Sequence, residues 1–329
     1  MLQHEKKSNK NPVLDSAWLV ASKSKHVKIN SIKIKEFAKM FDRKSLKHWM
    51  EKSPFNLSGL NNDEKLAFLF TFNSISFSYF GDPKWISVHL GENGERGTWS
   101  LFVALRKARD EGALSLAPLD LMAIDKEKFS YILRGKEDVE IPLLEKRLEI
   151  LREVGETVCR YHDSNFGNVV NSANRDALAL LDIIVNEFPS FNDSASFEVE
   201  KIKFHKRAQL LISDIYNVFE GKDYGKLENI GKLTVCADYI LPMVLRHIGI
   251  LEYSLELSGR VDKKILIPAG TAEEIEIRAN TIIAVEMIKE KLNPKFPDIT
   301  SMMLNDYFWL EGNNVPLQIP HHLTETTFY

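Results

Sequence analysis

Apolar side chains recur at three- and four-residue spacing along most of the chain, a rhythm that predicts helices rather than strands. Short helices are expected over 15–24 and 32–41, and further ones over 98–111, 125–134, 142–162, 173–187, 197–220, 272–292 and 299–309. Gly112 suits the end of the 98–111 helix. Pro118 and Pro142 suit first-turn positions, where a missing amide proton leaves nothing unsatisfied. A Phe-rich apolar run over 62–80 is stopped by Gly81-Asp82-Pro83. Only 85–90 alternates apolar and polar positions, so it is the strand candidate, with a turn over 91–94 behind it; one small sheet at most is implied. Residues 1–11 are polar and read as a disordered tail. That leaves 12–329 as a single, mostly α-helical globule of one body or two lobes, with no fixed-period repeat or low-complexity linker to divide it.

One stretch, 233–251, stands out because a single carboxylate, Asp238, is set in a largely hydrophobic run beside Cys236, Tyr239 and Leu241. A desolvated carboxylate needs either a partner or a task. Pro242 pushes Leu241 away from helical geometry and predicts a helix from Met243 to near Gly249. Asp238 then lies just ahead of a helix N-terminus, where amides and the helix dipole favour negative charge. The plainer role for it is a cap; the sharper one is chemistry.

Composition narrows the classes. Hydrophobic residues make up 44% and charged residues 27%, an ordinary globular mixture, and 43 basic against 46 acidic side chains give a net charge of −3. No general field attracts a polyanion, so binding to long nucleic acid is disfavoured. Two cysteines, Cys159 and Cys236, cannot build a disulfide framework or a cysteine-rich metal site. With no signal-peptide core at the N-terminus and no run of about 18 apolar residues, the expectation is a cytoplasmic, membrane-free protein.

Two further stretches carry candidate chemistry. In 204–214, Phe204, Ala208, Leu211, Ile215 and Phe219 form an apolar stripe, while Lys206 and Arg207 project elsewhere, either onto a solvated face or into an anion site. In 302–312, Asn305, Asp306 and Glu311 interrupt an aromatic helix containing Trp309. That is either a half-exposed helix or a base-reading site, in which rings stack on a heterocycle and a carboxylate accepts N–H donors from its edge. The chain lacks a Walker-type phosphate loop, a dinucleotide fingerprint, a His-Glu-x-x-His and a Gly-x-Ser-x-Gly elbow. His321-His322, without other ligands at metal spacing, points to a surface or capping role.

Taken in order, several motifs resemble the queuosine salvage protein family: Ile75-Ser76-Phe77-Ser78-Tyr79-Phe80, Trp99-Ser100-Leu101 with Asp110-Glu111-Gly112, Phe188-Pro189-Ser190-Phe191 with Asp193, Phe204 to Gln209, Ala237-Asp238-Tyr239 with Pro242, Glu276-Ile277-Arg278, and Pro320-His321-His322 to Phe328-Tyr329. The resemblance spans roughly residues 12 to 329. It implies a helical fold like that of DNA glycosylases and an N-glycosidase that releases queuine from queuosine 5′-phosphate for reuse in transfer-RNA modification, with no cofactor and no metal. By the same resemblance Asp238 is catalytic, and Cys236 stands where many relatives have Phe, next to Tyr239. Lys206 or Arg207 would hold the phosphate, and Trp309 with Asn305 or Asp306 would hold the base. His48 would match a family histidine after the second helix. A glycosylase of polynucleotides, or a helical module that binds a nucleotide and leaves it intact, are the competing classes.

Overall fold

The structure is a computed structural model and describes residues 11–52, 57–90, 97–316 and 318–329. Fourteen α-helices are found among those residues: α1 (Pro12–Lys23), α2 (Ser31–Met40), α3 (Asn62–Ser74), α4 (Thr98–Asp110), α5 (Pro118–Ala123), α6 (Lys126–Ile132), α7 (Leu144–Tyr161), α8 (Phe166–Asn171), α9 (Ala177–Glu187), α10 (Lys206–Val218), α11 (Ile240–His247), α12 (Leu255–Asp262), α13 (Ala272–Leu292) and α14 (Ser301–Glu311). The protein is mostly α, as its apolar rhythm predicts. Two antiparallel pairs complete it: β1 (Val27–Ile29) with β4 (Leu251–Tyr253), Val27 opposite Tyr253, and β2 (Ser194–Phe197) with β3 (Glu200–Lys203), Ser194 opposite Lys203.

Buried side chains fall into two clusters. One gathers Phe68, Phe72, Phe102, Leu151, Leu181 and Leu211 from α3, α4, α7, α9 and α10. The other gathers Val13, Val20, Ile277, Ile283, Leu304 and Phe308 from α1, α13 and α14. The irregular segment before α11 runs between them, with Leu233 and Cys236 in the first and Val235 and Ala237 in the second. Asp238 is thereby brought to the seam.

Helix α13 is buried all round over 274–286, so its charged groups need internal partners. Glu276 accepts the amides of Lys25, His26 and Val27, fixing the turn between α1 and β1. Arg278 pairs with Asp193.

The structure corrects several expectations. Residues 85–90 form no strand: Ser87 makes only an isolated bridge to Gly135, while Trp85 is buried with its indole N–H on the Leu133 carbonyl. Inward pointing, not sheet pairing, produced the alternation. The turn over 91–94 and residues 1–10 lie outside the described residues, but Asn11, assigned to the tail, is buried, caps α1 and bonds Gln209. The 197–220 helix starts only at Lys206, because the Asp193 carbonyl captures the amides of Phe204 and His205 and the chain before them turns back as the β2–β3 pair. Of the apolar run over 62–80, which carried no helix or strand assignment, Asn62–Ser74 is helix α3 and the rest is irregular. The Arg207 guanidinium takes the Ser74 carbonyl, and Arg147 takes those of Ile75, Phe77 and Ser78, so distant cations satisfy what another helical turn would have. Finally, α11 begins at Ile240, three residues before Met243, with Leu241 helical after all: the Asp238 carboxylate accepts the first amides and outweighs the pre-proline restriction.

Candidate active site

A partly enclosed cleft opens at the seam, lined by aromatic, carboxylate and lysine side chains. Its walls come from distant parts of the chain, including Trp49, Phe72, the 76–79 segment, Lys206, the 236–239 segment, 305–309 and Tyr329.

Asp238 is 7% exposed. One carboxylate oxygen accepts the amides of Ile240 at 2.8 Å and Leu241 at 3.1 Å; Pro242, next in line, has no amide to offer. The other oxygen has no hydrogen-bond partner among the described residues, and the side chain lines the cleft. Burial pushes its pKa above the usual aspartate value, while Lys206 and the two amides pull it back. Cap and cleft-facing carboxylate are thus the same group, each oxygen serving one end.

Lys206 is the first residue of α10, also 7% exposed, and its ammonium makes no hydrogen bond or ion pair among the described residues, although its charge acts on Asp238. Phe204 precedes the helix, so its angular offset from Lys206 does not decide where the lysine points; the left-handed His205 and the Lys206 amide on Asp193 at 3.1 Å do. A buried, unpaired cation facing a cleft is an anion site in waiting. Arg207 is not at the cleft. Its guanidinium donates to the Ser74 and Ser190 carbonyls beneath the wall.

At the other end Trp309 meets Trp49 and Trp99 edge-on, with ring centroids 5.9 and 5.5 Å apart, and Phe72 stacks behind Trp49. The Asn305 side-chain carbonyl is occupied by the Cys236 amide at 2.9 Å, and its amide group donates to Asp306 at 3.2 Å. Asn305 therefore ties the wall together, while Asp306 keeps a carboxylate in the cleft lining. Burial pushes Asp306 up to about 7, against the pull of His48 and Asn305. The His48 ring nitrogen lies 3.7 Å from Asp306 and 3.6 Å from Asp214. Burial works to lower the pKa of His48, but Asp214 and Asp306 more than offset it and hold it above the usual value. His48 sits behind Asp306 and not among the lining groups. Asp214 is fixed by the Trp49 indole at 2.8 Å and Asn73 at 3.0 Å.

The Cys236 thiol donates to the Lys206 carbonyl at 3.3 Å, and burial pushes its pKa up, so it packs rather than reacts. Tyr239 lines the cleft and stacks on His321 at 4.5 Å. His322 is buried against the Tyr329 hydroxyl, 3.3 Å away. Among the described residues no group of three or more His, Cys, Asp or Glu side chains is placed to hold a metal ion.

The sequence reading gave no role to Trp49, Phe72, Ser76, Phe77, Tyr79, Thr98, Leu210 or Tyr329, all of which line the cleft. A signal was present in the Ser-Phe-Ser-Tyr alternation of 76–79, hidden at the end of a Phe-rich apolar run.

A mostly helical body enclosing a buried carboxylate, an unpaired lysine and an aromatic wall defines a site for a small anionic ligand with a flat ring. The chain belongs to the queuosine salvage protein family, whose sequence model matches residues 57–329. It is 37% identical to a Sphaerobacter thermophilus protein over 81% of this chain and 82% of that one, and 34% identical to a Nematostella vectensis protein over 79% and 81%. A Bos taurus protein is 30% identical over 96% and 98%. Each of these relatives is named queuosine 5′-phosphate N-glycosylase/hydrolase.

Proposed function

We propose that this chain hydrolyses the N-glycosidic bond of queuosine 5′-phosphate and releases queuine. The observation that carries the reading is the unpartnered oxygen of buried Asp238, facing a cleft with an aromatic and carboxylate wall at one end and the Lys206 ammonium within reach of the same space. As the C–N bond breaks, its electron pair leaves with the base and positive charge grows on the ribose. A fixed carboxylate in a water-poor site stabilises that charge and accepts a proton from the water that attacks the sugar carbon; the proton ends on the ring nitrogen that left the sugar, regenerating the carboxylate. The amides of Ile240 and Leu241 hold one oxygen still, leaving the other for this work.

The 7-deazaguanine ring lacks the nitrogen that purine glycosidases commonly protonate, so the departing base is held through its edge and its cationic amine, for which Asp306 is the carboxylate in the aromatic wall. Trp309 and Trp49 supply faces for stacking. Lys206 takes the 5′-phosphate, supported by the N-terminus of α4, where no side chain caps the helix, no acid lies in the first turn and Thr98 lines the cleft. No cofactor or metal takes part in this scheme. Walls drawn from Trp49 to Tyr329 support treating 12–329 as one working unit. The burial of Asp238, Lys206 and Asp306 supports a mononucleotide rather than a long nucleic acid as partner. No helix among the described residues is long and apolar enough to cross a membrane, and the two unpaired cysteines support a cytoplasmic setting.

Incubating the protein with queuosine 5′-phosphate and following free queuine by mass spectrometry tests the proposal. Binding of the nucleotide without release would make the chain a binding module; release only from oligonucleotides would make it a polynucleotide glycosylase.

A further inference from the structure

Three buried groups that do not line the cleft, Asp193, Glu274 and Arg278, connect three that do. Arg278 projects from α13 and is 2% exposed. Its Nε donates to the Ala237 carbonyl at 3.1 Å, the residue immediately before Asp238. Its two terminal nitrogens donate to the two oxygens of Asp193 at 2.9 and 2.5 Å. The oxygen of Asp193 on the shorter bond also accepts the backbone amide of Lys206 at 3.1 Å, and the Asp193 carbonyl accepts the amides of Phe204 and His205. Glu274 lies 3.6 Å from the guanidinium and accepts the Tyr329 hydroxyl at 2.8 Å. The guanidinium is sandwiched between the Phe204 and Tyr329 rings, 4.0 and 4.4 Å from their centroids. One planar fork thus joins the backbone before Asp238, the start of α10 and the Tyr329 wall.

We infer that Arg278 is a positioning residue that fixes the distance and orientation between the Asp238 carboxylate and the Lys206 ammonium; this rests on the function proposed above. Buried ion pairs are poor evidence for stability, because desolvation consumes most of their attraction. What the fork supplies that a hydrophobic filler would not is geometry: several donors held in one plane, each aimed at a different segment. A lysine would keep the charge but, as a single point, would not bridge the Ala237 carbonyl and both Asp193 oxygens in the same arrangement. The base wall of Trp49, Asp306 and Trp309 takes none of its hydrogen bonds from this fork.

The test is Arg278→Lys, with Asp193→Asn as the second variant, in the full chain. Each is assayed for kcat on queuosine 5′-phosphate, for Kd of free queuine, and for Tm. Since a misplacement of about 1 Å can cost on the order of a hundredfold in rate, kcat should fall tenfold to a hundredfold, while queuine affinity stays within about threefold, because the base wall is untouched. Parent-like kcat in a folded variant overturns the inference. So does parallel loss of kcat and queuine affinity, which marks general collapse, and so does failure of both variants to fold, which makes the fork structural only. A parent that releases no queuine would instead sink the proposed function, so the two failures are distinguishable.

Discussion

Replacing Asp238 by asparagine changes the charge at the centre of the proposed chemistry with almost no change of shape. The asparagine carbonyl can accept the Ile240 and Leu241 amides as the present oxygen does, which sends the amide nitrogen to the oxygen facing the cleft. The negative charge opposite the developing sugar cation is then gone, and a neutral donor stands where water must be activated. Loss of one preorganised electrostatic group of this kind costs about 2.7–4 kcal/mol, or roughly 10²–10³ in kcat. Stability should move the other way. Burial raises the Asp238 pKa in the folded chain, so stability tied to that group is fully present below the unfolded pKa and lost as pH rises through the folded one. Asparagine does not titrate, so the Tm of the variant minus that of the parent should be widest at alkaline pH and shrink as pH falls. The assay is single-turnover release of queuine alongside thermal melts at several pH values. Near-parental release by the folded variant would refute the role of Asp238; a variant that melts lower than the parent at every pH would refute the burial argument.

Lys206→Ala should reduce the preference, in kcat/KM, for queuosine 5′-phosphate over queuosine by about 1.5–3 kcal/mol, the range for a hydrogen bond to a charged group; an unchanged preference places the phosphate elsewhere. Since Lys206 pulls the Asp238 pKa down, the same variant should also move the acidic limb of kcat to higher pH. Trp309→Ala should weaken queuine binding by about 1–3 kcal/mol, as for loss of an aromatic stacking face, and calorimetry showing parental affinity with intact helix content would exclude that wall. Asp306 sits near 7, and its ionisation makes the base wall more negative, so affinity for cationic queuine should rise with pH through about 7; binding that is flat with pH in the parent counts against the assignment.

How far the site could be read from sequence depended on the range of the interactions involved. Asp238 stood out because a carboxylate in an apolar run is a local anomaly, and Lys206, Asp306 and Trp309 because their helices carry polar and aromatic residues off the apolar stripe. All four line one cleft. The helices α4, α7 and α13 were visible because 3.6-residue periodicity is local too. The irregular path of 75–80 was not, since it is held by Arg147 and Arg207, some 70 and 130 positions away. Choosing between Lys206 and Arg207 was equally out of reach: adjacent in sequence, they are separated by one helical step that sends one to the cleft and the other to backbone carbonyls. The β2–β3 pair was lost for a related reason, as Phe197 and Phe204 fit a helical stripe until the Asp193 carbonyl claims the amides that would have continued it.

The bonds that close the cleft are long-range: Trp49 to Asp214, Ser78 to Tyr329, Asp193 to Arg278, and Cys236 to Asn305. Each draws a large loop shut, and that entropy must be met before the contact returns anything. A ribosome adding residues in order makes Lys206 and Asp238 well before Trp309 and Tyr329. Until position 329 has been made, Asp238 lacks the Tyr329 part of its enclosure. A ligand of the cleft would therefore stabilise the folded chain by mass action more than any chain still lacking Trp309 and Tyr329.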